Sequence, residues 1–212
     1  MKIYYEDNDV IVCEKPWGVS SQQSEKENMI DMLSLRTGAE IYPIHRLDIT
    51  TDGVMVYAKN KRSAAALCRQ AEQRTLKKEY ICVVHGITEP QGEMTDLLFH
   101  DRLKNKSFVV KTTRAGAKEA KLEYKTLGVS ANKSLSLVLV KLHTGRTHQI
   151  RVQFSSRGHA LYGDGKYGAK DNGKIALHSY RLSFTHPATG ENMTFTSPSS
   201  AEIYSEFSKT DG

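Results

Sequence analysis

Residues 134–152, SLSLVLVKLHTGRTHQIRV, contain the pattern that decides the fold class. The first half alternates leucine with polar or smaller residues and then becomes apolar on both faces, which predicts a strand in the centre of a sheet. Thr144-Gly145 interrupts this strand. Ile150 and Phe154 then recur at helical spacing within residues 146–156, which predicts a helix directly after the strand.

Strand-like runs lie on both sides of this stretch. They are residues 3–5, 10–13, 54–58, 80–87, 107–113 and 120–127, with a final hairpin over 175–197. Helices are predicted over 25–37, after the N-cap residue Asn60, and over 199–207. Because strands outnumber helices and short turns join most of them, we expect an α+β fold on a mostly antiparallel, mixed β-sheet flanked by helices and loops.

The bulk composition is that of a globular protein with a sizeable core. Hydrophobic residues make up 39% of the 212 residues, and no linker-like run divides the chain, so we expect a single domain over residues 1–212. No run approaches the roughly 18 apolar residues of a membrane helix. The N-terminus does not read as a signal peptide, so we expect a cytoplasmic protein without membrane contact. The formal net charge of +6 permits a polyanionic partner.

The three cysteines, Cys13, Cys68 and Cys82, lie far apart in sequence and show no CxxC spacing. Neither a disulfide framework nor a zinc knuckle is encoded by such a set. We expect free thiols in or near the core.

Three polar segments are hard to explain by folding alone. Residues 44–53 (IHRLDITTDG) place three ionisable side chains within four positions between apolar runs. Residues 74–80 (RTLKKEY) form a basic patch that runs into a tyrosine. In residues 142–152 (LHTGRTHQIRV), Arg146 and the backbone N–H groups of a helix start would suit a phosphate. Taken singly, each segment is also consistent with a solvated turn or a solvated basic face.

Together, in this order and spacing, the segments resemble the RluA-type family of RNA pseudouridine synthases. The matching residues are 8–18 (NDVIVCEKPWG), His45-Arg46-Leu47-Asp48 with Thr51 and Gly53, Lys78-Glu79-Tyr80, and 144–152 with Gly158-His159 and Gly163-Asp164. The resemblance covers about residues 7–198. It implies that the single domain is a catalytic domain with a central RNA-binding cleft.

The resemblance implies that the chain isomerises uridine in RNA to pseudouridine without a cofactor or a metal. Asp48 is implied as the catalytic carboxylate, and Arg151 as the guanidinium that keeps Asp48 ionised. Tyr80 is implied as the ring that packs on the target base. Whether Asp48 first attacks the ribose or the base is left open.

RNA binding requires further side chains, because a base inside folded RNA has to be flipped out. Arg46, close to Asp48 in sequence, is the candidate to occupy the space that the flipped base leaves in the RNA. Lys77, Lys78, Arg146 and His148 are the candidates for phosphate contacts. The expected partner is a stem-loop of ribosomal or transfer RNA, bound by a monomer.

The sequence departs from the family pattern at Asp52, Gln153 and Ala160, where Ser, His and Pro are common. A second carboxylate close to Asp48 would raise the pKa of Asp48 by like-charge repulsion. We therefore expect Asp52 to point away from Asp48 and to serve a turn with Gly53.

Two other functions are compatible with parts of the sequence. A non-catalytic RNA-binding module would use the basic and aromatic residues but would not need Asp48, Tyr80 and Arg151 together. A metal-dependent hydrolase would use the histidines of the second half, although their spacing fits neither HExxH nor a paired CxxC site. Many relatives carry an N-terminal RNA-binding domain of the S4 type. Here the first motif begins near residue 7, so we expect no S4 domain and expect the catalytic domain's own surface to select the RNA.

Overall fold

The computed structural model describes residues 1–199 and 201–207. Its strands are β1 Ile3–Glu6, β2 Val10–Lys15, β3 Tyr42–Pro43, β4 Asp52–Ala58, β5 Lys77–His85, β6 Gln91–Asp101, β7 Lys106–Val110, β8 Ala117–Val129, β9 Leu135–Leu142, β10 Leu177–Thr185 and β11 Asn192–Thr196. Its helices are α1 Met29–Thr37, α2 Lys61–Glu72 and α3 Gln149–Ser155, with 3₁₀ turns at Gly165–Tyr167 and Glu202–Phe207. The predicted α+β fold on a mixed sheet is confirmed.

The described residues fall into two compact units. Met1–Lys78 and His178–Pro198 form the first unit, and Glu79–Leu177 with the described residues after Pro198 forms the second. The chain therefore passes from one unit to the other within β5 and returns within β10. A single catalytic domain over residues 1–212 stays a prediction.

In the first unit the strand order is β1-β2-β4-β10, with β3 paired to β4 and β11 paired to β10. The predicted hairpins β1–β2 and β10–β11 are both present and antiparallel. By contrast, β4 and β10 run parallel, with His178 opposite Asp52 and Ser179 opposite Gly53. Alternate apolar residues of β2 and β4 form the core with Leu67 of α2. The pairing of β4 with β10 begins at Asp52, which is the first residue of β4.

Capping side chains set where the first two helices begin. Asn28 and Asn60 each accept a hydrogen bond from the backbone N–H three residues on, at 3.0 and 2.9 Å. The second helix therefore follows Asn60 as predicted, whereas α1 begins at Met29 and not at residue 25. Gly38 ends α1 in the left-handed region with a φ of 66°, the conformation that glycine adopts most readily.

In the second unit the strand order is β5-β9-β8-β6-β7. Strand β9 lies between two neighbours, which confirms the central strand predicted from residues 134–143. Strand β6 was not predicted. Of its eleven residues only Met94 and Leu98 are buried, so the apolar alternation that marks a strand is weak there.

The helix predicted over residues 146–156 begins later, at Gln149. The Gln149 side chain accepts a hydrogen bond from the backbone N–H of Arg146 at 3.0 Å, and His148 takes a left-handed φ of 55°. Arg146 consequently precedes α3, and the expectation that it starts the helix is wrong.

Two further expectations concern the thiols and the membrane. All three cysteines are free, with Cys13 and Cys82 buried and Cys68 half-buried, as predicted. Burial raises the pKa of Cys13 to about 12, which keeps it a thiol. Within residues 1–199 and 201–207, every helix is too short or too polar to span a bilayer.

Candidate active site

Asp48 is half-buried in the loop between β3 and β4. Two contacts fix the backbone of this loop. Ser21 Oγ accepts a hydrogen bond from Leu47 N at 3.1 Å and donates to Leu47 O at 2.9 Å. Thr51 N donates to the carbonyl of Asp48 itself at 3.0 Å. Hydrogen bonds therefore hold the backbone of the turn that carries Asp48.

Lys15 of the N-terminal motif supports the same loop from inside. Its side chain is fully buried, and Nζ donates to the carbonyls of Pro16 at 2.8 Å, Val19 at 2.7 Å and Ile49 at 3.3 Å. Burial lowers the pKa of Lys15 to about 8. At neutral pH the side chain of Lys15 therefore remains mostly an ammonium. Its hydrogen bonds join residues 16–19 to Ile49 in the loop that carries Asp48.

Asp52 contacts a histidine and does not serve a turn. It is the first residue of β4, and its Oδ1 lies 2.7 Å from Nδ1 of His178 on β10. The ring of His178 is buried, and its Nε2 lies 2.8 Å from the carbonyl of Ser197. The turn predicted at Asp52-Gly53 is wrong because the parallel pairing of β4 with β10 brings His178 opposite Asp52.

The ring of His178 lies between two oxygen atoms, a carboxylate on one side and a backbone carbonyl on the other. The carboxylate that it contacts also acts on Lys15, because the charges of Asp52 and Asp48 raise the pKa of Lys15 against the larger effect of burial.

His45, three residues before Asp48, is electrically neutral under ordinary conditions. Burial, with a smaller effect from the charge of Lys78, lowers the pKa of His45 to about 3. Its Nε2 accepts a long hydrogen bond of 3.4 Å from Val56 N. The imidazole therefore has a packing role beside the loop and carries no charge at neutral pH.

The basic candidates of the first unit differ in exposure. Arg46 and Lys77 are exposed, and Lys77 Nζ donates to the carbonyl of Arg74 at 2.8 Å. Lys78 is half-buried, and burial lowers its pKa. Arg46 and Lys77 are thus the two that present their charge to solvent.

In the second unit, Arg151 is held by a buried carboxylate. The guanidinium donates to Asp164 twice, from Nε to Oδ2 at 2.6 Å and from Nη2 to Oδ1 at 2.8 Å. Asp164 is fully buried, and the ring of Tyr167 lies 5.1 Å from the guanidinium carbon. This bidentate pairing fixes the plane of the guanidinium.

Tyr167 contacts a further residue of the motif over residues 144–152. Its hydroxyl lies 3.0 Å from Nδ1 of His148 and accepts from Ser107 N at 2.8 Å. His148 is buried, so its ring contributes to packing in this unit. Arg146 is half-exposed, and its Nε donates to the carbonyl of Glu119 at 2.8 Å.

The predicted site residues therefore divide between the units. Asp48, Arg46, Lys77 and Lys78 lie in the first unit, and Tyr80, Arg151, Arg146 and His148 lie in the second. Tyr80 is on β5 with 5% of its surface exposed. Within residues 1–199 and 201–207, no three His, Cys, Asp or Glu side chains form a group that could hold a metal ion.

Sequence reasoning did not assign roles to Lys15, Ser21, Asp164, Tyr167 or His178. Lys15 and Asp164 were visible only as members of motifs, since nothing in their neighbours shows which atoms they contact. A fully buried charged residue is rare without a partner or a function, and burial became known only with the fold.

Comparison with known proteins decides the family. The family described as RNA pseudouridylate synthase matches residues 9–156. The dual-specificity RNA pseudouridine synthase RluA of Escherichia coli strain K12 is 34% identical over 204 residues, which are 92% of this chain and 92% of that protein. The chain belongs to the RluA-type family of RNA pseudouridine synthases.

Two further proteins of this family are similar to the chain in sequence or in structure. The uncharacterized RNA pseudouridine synthase YhcT of Bacillus subtilis strain 168 is 32% identical over 96% of this chain and 70% of that protein. The structure of human RNA Pseudouridylate Synthase Domain Containing 1 has a TM-score of 0.78 at 26% identity, covering 93% of this chain and 83% of that one. An RNA pseudouridine synthase is an isomerase, so the catalytic interpretation is favoured over the non-catalytic RNA-binding module.

Proposed function

We propose that the chain isomerises specific uridines in structured RNA to pseudouridine, with Asp48 as the catalytic carboxylate. The observation that carries this proposal is the double support of the Asp48 loop. Ser21 brackets the backbone of Leu47, and the buried ammonium of Lys15 binds the carbonyl of Ile49, so the residues on both sides of Asp48 are held. Such support is typical of a group whose geometry matters for chemistry.

The reaction is balanced without a cofactor. The bond between C1′ of the ribose and N1 of uracil breaks, the base rotates, and a bond forms between C1′ and C5. The proton of C5 is lost and N1 gains one, so nothing is oxidised or reduced. Asp48 assists by stabilising the detached sugar or by adding to it or to the base, and a pocket that excludes water keeps the free uracil in place.

Arg151 and Tyr80 complete the proposed catalytic set. A guanidinium close to Asp48 would hold that carboxyl in its ionised form. Arg151 suits this role because Asp164 fixes its plane, and a fixed planar fork binds a carboxylate with defined geometry. Tyr80 lies on β5 and is proposed to pack on the flipped base through the 5% of its surface that is exposed.

The side chains proposed to contact RNA are ranked by their exposure to solvent. Arg46 lies two residues from Asp48 and is exposed, which supports the role of filling the gap left by the flipped base. Lys77 and Arg146 reach solvent and are proposed to contact phosphates. Lys78 and His148 remain candidates, but their burial makes them weaker ones than the other three.

The RNA class and the cellular setting are further parts of the proposal. A stem-loop of ribosomal or transfer RNA presents an unpaired base that is cheap to flip, which supports such a substrate. We propose that residues 1–212 act as one catalytic domain, as a monomer, in the cytoplasm. These points rest on the family assignment and on the positive charge of the chain.

Substitution of Asp48 tests the proposal. Asp48→Asn keeps the size and polarity of the side chain but removes its charge and nucleophilicity. We expect the variant to bind RNA within about twofold of the wild type and to lose pseudouridine formation by at least about a thousandfold, as for removal of a central catalytic group. Total RNA from a deletion strain is incubated with each protein, and its pseudouridine is measured by mass spectrometry of nucleosides.

Glu25→Gln, an exposed carboxylate of the same unit, is the matched control and retains activity. Appreciable turnover by Asp48→Asn would refute the assignment. If wild-type protein forms no pseudouridine in any RNA, the proposed function itself fails.

A further inference from the structure

The β6–β7 hairpin and the loop after it carry a concentrated positive charge. Residues 102–118 contain six Lys and Arg and no Asp or Glu. The chain has 30 basic and 24 acidic residues, so the 24 basic residues outside this segment are balanced by the 24 acidic ones. The formal net charge of +6 therefore arises from one short segment of the second unit.

This segment has one face packed inward and one face turned outward. Leu98 of β6 and Val109 of β7 pack in one cluster with Val152 of α3. Side chains alternate across a strand, so Phe99 and Phe108 lie on the opposite face, where they are direct partners in the β6–β7 register. Phe108 remains 36% exposed.

The two rings of the outward face lie beside cations. The Arg114 guanidinium carbon is 3.6 Å from the centroid of Phe99, and Lys106 Nζ is 5.8 Å from the centroid of Phe108. Arg102, Lys104 and Lys111 of the same segment are exposed to solvent. Lys118 is also exposed but is paired with Leu98, so it lies on the inward face. The outward face thus combines aromatic rings with cations that lie over them.

Arg146, from the motif over residues 144–152, contacts a strand of the same unit. Arg146 donates from Nε to the carbonyl of Glu119, which is on β8 and directly opposite Leu97 of β6. The loop that precedes the helix of Arg151 therefore contacts β8, the strand paired with β6.

We propose that this outward face, formed by Phe99, Phe108 and the five cations of residues 102–114 and called here the basic hairpin surface, binds a single-stranded segment of the substrate RNA. The inference rests on the proposed function and identifies a partner surface that the four motifs do not contain. Cations bind the phosphates, and an exposed ring stacks on an unpaired base, a combination typical of proteins that bind single strands. A second copy of the chain is a poor occupant, because it would bring like charges together.

Removal of charge tests the electrostatic part. The triple variant Arg102→Gln, Lys104→Gln and Lys111→Gln changes three exposed cations of the surface. We expect its affinity for a fluorescein-labelled 20-nucleotide oligouridine to fall about ten- to a hundredfold at 0.1 M salt, with a log–log salt slope smaller by about two units. The matched control is Lys26→Gln, Lys61→Gln and Lys125→Gln, which removes the same charge from exposed positions elsewhere. Equal affinities for the two triple variants would overturn the proposal.

Ring substitutions test the stacking part. Phe108→Leu keeps an apolar side chain on β7 but removes the ring, and we expect about tenfold weaker binding of the oligouridine, as for loss of one stacked base. Phe108→Tyr keeps the ring and is expected to bind like the wild type. If a 20-base-pair RNA duplex competes for the surface as well as the single strand does, the single-stranded occupant is wrong.

An activity measurement separates this inference from the proposed function. With total RNA from a deletion strain, the triple surface variant should show a raised KM and an unchanged kcat, because Asp48 and its loop are intact. Wild-type KM in that variant refutes the surface while leaving the proposed function standing. Absence of pseudouridine formation by the wild type refutes the proposed function, and oligouridine binding still reports on the surface.

Discussion

At the scale of single residues, the buried charges of the first unit explain features that the motifs only mark. Lys15 is conspicuous in sequence as part of a Lys-Pro pair, but its three carbonyl contacts give the reason for a lysine at this position. The carbonyl of Ile49 in the Asp48 loop accepts from Gly18 N at 2.8 Å as well as from Lys15, so two donors hold this side of the loop. A cation inside the protein therefore organises the backbone next to the proposed catalytic carboxylate.

Asp52 allows a direct test of a contact that departs from the family pattern. In Asp52→Ala, the buried ring of His178 loses the acceptor of its Nδ1–H. We expect the free energy of unfolding to fall by about 1–3 kcal/mol, the usual cost of an unsatisfied buried polar group. Urea denaturation at pH 7 measures the change, with the exposed Glu40→Ala as control. A variant as stable as the wild type would show that His178 does not depend on Asp52.

At the scale of elements, the parallel pairing of β4 with β10 determines how the Asp48 loop ends. A Cβ atom at Gly53 would lie 2.3 Å from the backbone oxygen of Ser179, and the φ of Gly53 is 113°. Only glycine fits both the close approach and this backbone conformation. Gly53 therefore has a structural role, five residues from the proposed catalytic carboxylate of Asp48.

Gly53→Ala is expected to destabilise the protein by more than about 3 kcal/mol, because strain and a backbone clash add together. Thermal unfolding followed by circular dichroism measures the loss. Gly165→Ala is the matched control, since its φ is ordinary and nothing lies within 4 Å of the added Cβ. Similar melting temperatures for the two variants would contradict the close approach of the strands.

Sequence patterns predicted elements well where one face is buried and poorly where it is not. Strand β9 and helix α2 were found from apolar periodicity, and Asn60 gave the start of α2. Strand β6 was missed because both of its faces are largely polar or half-exposed. The start of α3 was misplaced because Gln149 uses its side chain to close the turn before the helix, a tertiary detail without a local signal.

At the scale of the whole molecule, acid is expected to unfold the protein partly through His45. Its pKa of about 3 in the fold lies below the unfolded value near 6.5, so the unfolded chain binds the proton first. The contribution of neutral His45 to the free energy of unfolding is therefore fully present above about pH 6.5. This contribution is lost as the pH falls toward 3. We expect the loss to amount to about 2–4 kcal/mol.

Urea denaturation between pH 7 and pH 4 measures this dependence. His45→Gln should flatten the fall in unfolding free energy, because glutamine takes up no proton. His100→Gln, a half-buried histidine of the second unit, serves as control and should keep the wild-type slope. Parallel pH curves for wild type and His45→Gln would exclude His45 as a source of acid sensitivity.

The sequence by itself determined the family, the order of the motifs and the identity of the proposed carboxylate, because the chemistry requires particular side chains at short spacings. It also determined the positive charge of residues 102–118, which contain six Lys and Arg and no Asp or Glu. Only the tertiary structure decided that Asp52 pairs with His178, that Asp164 holds Arg151, and that Phe99 and Phe108 share a face. Such contacts join residues far apart in the chain or depend on strand register, and periodicity reports only which face of an element is apolar.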